Sequence, residues 1–533
     1  MQTLIFAALL KRFRKTAISC LLFAATLLFA APVFAQIDLA GEWTPLFHED
    51  NADRLAGPHI GDYGGIPLND AGRFMAQSWN ADILSVPEHQ CKPHPADYAS
   101  RGPADMRISK EVDDATQQVI ALRLYIWWQA QQRTIWMDGR PHPDEFAQHT
   151  WQGFSTGAWE GPVLKVVTTH LKKGWIQRNG VPRSDQAEMT EYIYRRGEFL
   201  TWTVIIHDPL YLTEPMIRTT DFRTAPTQDL EPYPCQIVTE VDKPQGWVPH
   251  WLPDANPFLG EFAKLEGFPP EALRGGPETL LPEYRKNVAA PLGGAVLSAI
   301  APVGQRAALS QRAGSARAMA TVDLTGYWVS LITEDWRSRM KSPRKGDVEG
   351  IPATPLAVDL ANAWDPPQDE SRGDQCKSYG AAAILRVPTR IHVGWEDDNT
   401  LNLETDAGMQ TRLFRFGSAA STTPGESSWQ GFSAAEWDQP RDVGVASPAG
   451  TLKVVTTNLR PGYLRKNGVP YGEKAKVTEY FNRTPETYGA AYLIVTTIVE
   501  DPDYLFGPFI TSSHFWKLPD TANGWNPEPC SAR

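Results

Sequence analysis

Along most of the chain, apolar and polar residues alternate with a period of two. The run QVIALRLYIWW (118–128) and the segment RTIWMDG (133–139) read as two arms of a β-hairpin. WQGFSTGAW (151–159) and VLKVVTTHL (163–171) form a second hairpin around the turn Glu160-Gly161-Pro162. EMTEYIYRRGEFLTWTVIIHDP (188–209) is a third, turning at Arg196-Gly197. Successive hairpins with little helix predict a mainly β fold, an antiparallel meander closed into a barrel or folded into a sandwich. Within the third hairpin, Met189, Glu191, Ile193 and Arg195 fall on one face. A carboxylate between apolar neighbours predicts an inward Glu191, which must be paired or protonated.

The pattern is written twice. DLAGEW (38–43) returns as DLTGYW (323–328), and QCK around Cys91 returns around Cys376, both offset by 285. LKVVTTHL (164–171) returns as LKVVTTNL (452–459), and Glu191 as Glu479, offset by 288. DPLYL from Asp208 returns as DPDYL from Asp501, offset by 293. Steady order with small drifts predicts tandem copies of one domain with insertions in its loops. The expected layout is a first β-barrel repeat over 36–235, a short-helical connector over 236–287, a flexible Ala/Gly-rich linker over 288–321 and a second repeat over 322–533.

Residues 1–35 read as an export signal. The bases Lys11, Arg12, Arg14 and Lys15 precede an apolar run, and Val33-Phe34-Ala35 offers a cleavage site after Ala35. The expected location is periplasmic or secreted, with no integral membrane span after cleavage. Removing the signal takes four bases and no acid, so the charge moves from −11 to 47 − 62 = −15. That balance argues against nucleic acid as a partner.

Export changes the meaning of the cysteines. Four of the five remain in the mature chain, two per copy. The simplest pairing is Cys91 with Cys235 and Cys376 with Cys530, each tying the end of a copy to its start. The alternatives are free thiols or bridges between copies. Chain entropy sets the worth of such a long loop at roughly 5 kcal/mol as an upper figure. No cysteine or histidine spacing suits a metal, and no nucleotide or redox-cofactor fingerprint occurs, so neither is expected.

The two copies serve as an internal control. Features in both are read as architecture, such as the tryptophans Trp151/Trp429 and Trp159/Trp437. Histidine differs: eight of the eleven lie in the first copy. The segment DGRPHPDEFAQH (138–149) stands where the second copy has GSAASTTPGESS (417–428). Its Asp138, Arg140, His142 and His149 are candidate site residues on a loop. His170 replaces Asn458 and His207 replaces Glu500 at predicted strand ends, which adds two candidate ligand-binding residues. Each has a bland alternative, a polar side chain that satisfies nearby backbone groups. For Glu191 the alternative is a buried ion pair present in both copies.

The residues MDGRPHP, TWQGFSTGAWEG and LKVVTT resemble a group of secreted bacterial proteins with a DGRPHP, TWxGxSxGxWEG, LxVxT pattern. The second copy keeps the Trp phrase and LKVVTT but lacks DGRPHP. DLAGEW and DLTGYW also resemble the GxW opening of lipocalin-like barrels, which implies tandem barrels able to enclose one ligand. The expected function is an exported binding protein for a small, largely apolar molecule, with the site in the first repeat. Two alternatives stand beside it. One is a cofactor-independent lyase, hydratase or hydrolase with His142, His149 and Glu191 in acid–base roles. The other is a structural or partner-binding envelope protein.

Overall fold

The computed structural model describes residues 37–532, except 56, 87–88, 92–93, 128–130, 229, 232–235, 239–245, 289–313, 422–424 and 439–449. The expected signal (1–35), Cys235 and most of the Ala/Gly-rich linker lie outside the described residues. Among those described, no helix is long and apolar enough to cross a membrane.

The chain is mainly β, and it forms two closed nine-stranded barrels in sequence order. The first holds β1 (Gly41–Leu46), β2 (Met106–Val112), β3 (Val119–Ile126), β4 (Gln131–Trp136), β5 (Phe154–Glu160) and β6 (Val163–Thr169). A small outer hairpin follows, β7 (Gly174–Trp175) with β8 (Pro182–Arg183), before the barrel resumes with β9 (Glu188–Arg196), β10 (Phe199–His207) and β11 (Met216–Thr224). The second barrel repeats the order. It runs through β12 (Gly326–Leu331), β13 (Arg390–Asp397), β14 (Thr400–Thr405), β15 (Thr411–Phe416), β16 (Phe432–Asp438) and β17 (Thr451–Thr457). The outer hairpin β18 (Gly462–Tyr463) and β19 (Pro470–Tyr471) comes next, then β20 (Lys476–Arg483), β21 (Tyr492–Glu500) and β22 (Phe509–Lys517).

Nine is odd, so strand direction cannot alternate all the way round a closed ring. One neighbouring pair must be parallel. It is β4–β5 in the first barrel, with Ile135 opposite Ser155, and β15–β16 in the second, with Phe414 opposite Ser433. The hairpin neighbours β5–β6 and β9–β10 are antiparallel, as their sequences indicate. A parallel pair needs a link that runs back along the barrel. Residues 137–153, which contain DGRPHPDEFAQH, are that link, and 417–431 make the same crossing in the second copy with other residues.

Side chains fill the lumens, as small barrels require. Trp43, Trp202, Phe222, Met189 and Ile193 belong to one buried cluster in the first barrel, and Trp328, Phe414, Phe481 and Phe515 to one in the second. The GxW tryptophans match in detail. Trp43 Nε1 donates to the Leu39 carbonyl at 3.1 Å, and Trp328 Nε1 to that of Leu324 at 2.9 Å. Arg195 and Arg483 lie over their rings. Cys376 and Cys530 form a disulfide, as the within-copy pairing requires. Cys91 is also disulfide-bonded.

The barrels are docked side by side. Val163, Tyr192, Ile205 and Ile217 on the outside of the first share an apolar cluster with Leu331, Tyr492 and Ile494 of the second. Tyr192 Oη meets Thr487 Oγ1 at 2.9 Å, Arg196 donates to Asn482 Oδ1 at 2.8 Å, and His514 Nε2 meets Thr219 Oγ1 at 2.7 Å. Both faces of β9, β10, β21 and β22 are consequently almost wholly buried.

Candidate ligand site between the barrels

The crossover loop has a closed internal chemistry. Arg140 pairs with Asp138 and lies 3.5 Å over the Trp136 ring. His170 Nε2 donates to the Asp144 carbonyl at 2.7 Å, and its Nδ1 lies 2.7 Å from the Thr169 hydroxyl. Thr169 Oγ1 also hydrogen-bonds His142 Nδ1, and His142 Nε2 hydrogen-bonds Thr156 Oγ1, both at 2.8 Å. Burial, with His170 nearby, lowers the His142 pKa. His149 Nδ1 donates to the Leu171 carbonyl at 2.9 Å. Residue 170 has φ 57° and Asn458 has φ 56°, so the His/Asn exchange falls on a left-handed position that both residue types tolerate.

Glu191 points into the first lumen and is fully buried. Arg133 clasps both of its oxygens, with Arg133 Nη1 at 2.9 Å from Oε1, while Trp202 Nε1 donates to Oε1 at 2.9 Å. Thr168 and Ser155 take further hydrogens from Arg133. The second barrel has the same pair, with Arg412 Nη1 at 2.8 Å from Glu479. The crossover loop and this lumen network are separate places. The structure therefore does not gather Asp138, Arg140, His142, His149 and Glu191 into one site.

His207 stands elsewhere, at the seam between the barrels. Its ring stacks on Tyr488 at 4.7 Å and 16°. Tyr488 sits on an arm that the first copy lacks. Between Glu191/Glu479 and Asp208/Asp501 the repeat offset grows from 288 to 293, so 293 − 288 = 5 residues are inserted. They lengthen the turn between β20 and β21, with Tyr488 and Gly489 at φ 52° and 80°, the pair of left-handed residues that a tight hairpin tip requires. The arm crosses to the first barrel, where Tyr488 Oη meets Thr190 Oγ1 at 3.2 Å.

Behind the arm is a cleft of about 300 Å³, lined by His207, Leu212, Glu214, Leu331, Tyr492 and Trp516 among others. Glu214 is its only carboxylate and has no hydrogen bond or ion pair among the described residues. Burial pushes its carboxyl up to about 7. The repeat places Gly507 at the equivalent of Glu214 and Glu500 at that of His207, so the polar lining belongs to one copy. Sequence comparison of the copies selected His207. It missed Glu214, although the same comparison exposes it. Tyr488 was signalled only by the five-residue drift, and nothing in the comparison of the copies marked Tyr492 or Trp516, which lie on β21 and β22.

Among the described residues, His48, Asp50 and Asp335 have spacing suited to a metal. Arg54 already takes one oxygen of Asp50 at 2.6 Å, and Arg386 one of Asp335 at 3.1 Å, so a metal ion there would compete with a guanidinium at each carboxylate. No family model, curated protein or solved structure matches the chain.

Proposed function

We propose that the protein binds a small, largely apolar molecule with one hydrogen-bonding group, and that it does so in the inter-barrel cleft. The carrying observation is the cleft itself: aromatic and aliphatic walls converging on one unpartnered carboxyl, Glu214. Ligand pockets commonly combine apolar walls with very few placed polar groups. The site moves from the barrel lumen, where the lipocalin-like resemblance put it, to the seam, because aromatic side chains and the Arg133–Glu191 pair occupy the lumen. His207 and Glu214 come from the first repeat, and the stacking arm from the second. Export to an oxidising compartment fits the Cys376–Cys530 bridge.

Native mass spectrometry of the purified protein tests this. The wild type should carry an adduct of a few hundred daltons, the size such a cleft holds. Tyr488→Ala and Glu214→Ala should lose it while keeping the fold. A bare wild-type mass refutes the proposal, and so does an adduct equally abundant in both variants.

A further inference from the structure

Charged residues buried between the barrels border a second cleft, which shares no lining residue with the first. Arg285, Arg339, Arg386, Arg465 and Lys466 line it, against a single carboxylate, Glu49. Glu49 answers two of these cations, Arg386 Nη2 at 2.8 Å and Arg465 Nε at 2.7 Å. Burial raises the Glu49 pKa, but Arg386 and Arg465 outweigh it and bring it down to about 2. Arg465 also donates Nη2–H to the Glu349 carbonyl, and Arg339 donates Nε–H to that of Arg386. Arg339 Nη2 and Arg465 Nη1 are left with no partner, although the two residues are only 6% and 5% exposed. A buried donor without an acceptor is costly, so these two guanidinium groups are suited to an acceptor entering the cleft. Burial, with Arg285 alongside, brings the Lys466 ammonium down to about 7, so an anion beside it would hold it charged.

The repeat supplies a control. Across the pseudo-symmetric seam the equivalent cleft has Glu334 for Glu49, Arg101 for Arg386, Gln177 for Arg465 and Asp53 for Ser338. That cleft also contains Asp50, Asp62 and Asp335 and is acidic. The two mouths of one duplicated interface thus carry opposite charge. A general need to solvate the seam would give both the same character.

We infer that the Arg339–Arg465–Lys466 cleft binds a small, multiply charged oxyanion of the phosphate type, free or as a phosphomonoester. Its oxygens would supply the acceptors that Arg339 and Arg465 lack, and its charge would balance the surplus of cations. The inference stands apart from the apolar cleft and does not depend on it.

Calorimetric titration of the full chain with inorganic phosphate, at ionic strength held constant with chloride, tests it. Phenyl phosphate is titrated in parallel. Saturable binding is expected for the wild type. Arg465→Gln, which installs the side chain of the acidic mouth, and Lys466→Met should each weaken it about tenfold, or about 1.4 kcal/mol. Circular dichroism checks the fold, and Lys466→Met decides alone if Arg465→Gln unfolds. Phenyl phosphate binding alone assigns the ester, and binding of both assigns the free anion. No saturable binding of either compound overturns the inference, as does unchanged affinity in Lys466→Met.

Discussion

Replacing Glu191 by leucine should unfold the first barrel far more readily than replacing Glu191 and Arg133 together. The side chains of this pair are 0% and 4% exposed. The single replacement would leave the Arg133 guanidinium in the lumen with only Ser155 and Thr168 to face it, and Trp202 Nε1 without its acceptor. Breaking a buried pair from one side costs about 3–5 kcal/mol, because an uncompensated charge stays behind. The orphaned indole N–H adds about 1 kcal/mol. The sum, about 4–6 kcal/mol, corresponds to a fall in Tm of about 8–24 °C for a unit of this size. Arg133→Met with Glu191→Leu removes both charges and should lie within about 2 kcal/mol of the wild type. Arg133→Met alone would strand Glu191 at a similar cost of about 3–5 kcal/mol, so the cycle predicts a coupling of at least about 5 kcal/mol. Urea unfolding of the four proteins measures it. A Glu191→Leu cost under about 1.5 kcal/mol refutes the reasoning, as does a double variant no more stable than the single one.

Two further outcomes follow from the same structure. His514 is fully buried, and burial together with Arg339 lowers its pKa to about 3. The unfolded chain therefore binds a proton first. The His514 contribution is complete above pH 6.5 and fades as pH falls toward 3, by up to about 1.4 kcal/mol per pH unit. Urea midpoints between pH 4 and 7 should change less with pH in His514→Gln than in the wild type; equal slopes would contradict this. At the left-handed position 170, His170→Asn should stay within about 0.5 kcal/mol, because Asn458 occupies the equivalent place, whereas His170→Val should cost about 1–2 kcal/mol. Thermal denaturation separates the two, and similar losses for both would show that backbone conformation does not govern the site.

Much of the fold was legible in the residues. Period-two alternation over 188–209 marked β9 and β10 and set Met189, Glu191 and Ile193 on the lumen side. The repeated phrases marked two copies, and two cysteines per copy, one near its start and one at its end, pointed to the Cys376–Cys530 bridge. The candidate site was only partly legible. DGRPHPDEFAQH drew attention because one copy has it, yet its histidines bond within the loop and its strands. It differs between copies as the crossover of a parallel seam, where length matters more than side-chain identity. The more telling asymmetry was five residues of drift in the offset, which became the Tyr488 arm.

By itself the sequence determined which face of each strand is apolar and where strands turn, because those properties depend on neighbours a few residues apart, and its recurring phrases determined that one domain is written twice. Only the tertiary structure decided that nine strands close with one parallel seam, and that the barrels pack side by side. The outer faces of β9 and β10 show why. Thr190, Tyr192, Thr201 and Thr203 suit water or a second barrel equally well, and local pattern cannot say which covers them. Docking buried them, brought His207 to Tyr488 across 281 residues, and set Glu49 between Arg386 and Arg465. Groups so far apart in the chain meet only when two closed surfaces find their register, and both clefts exist because they do.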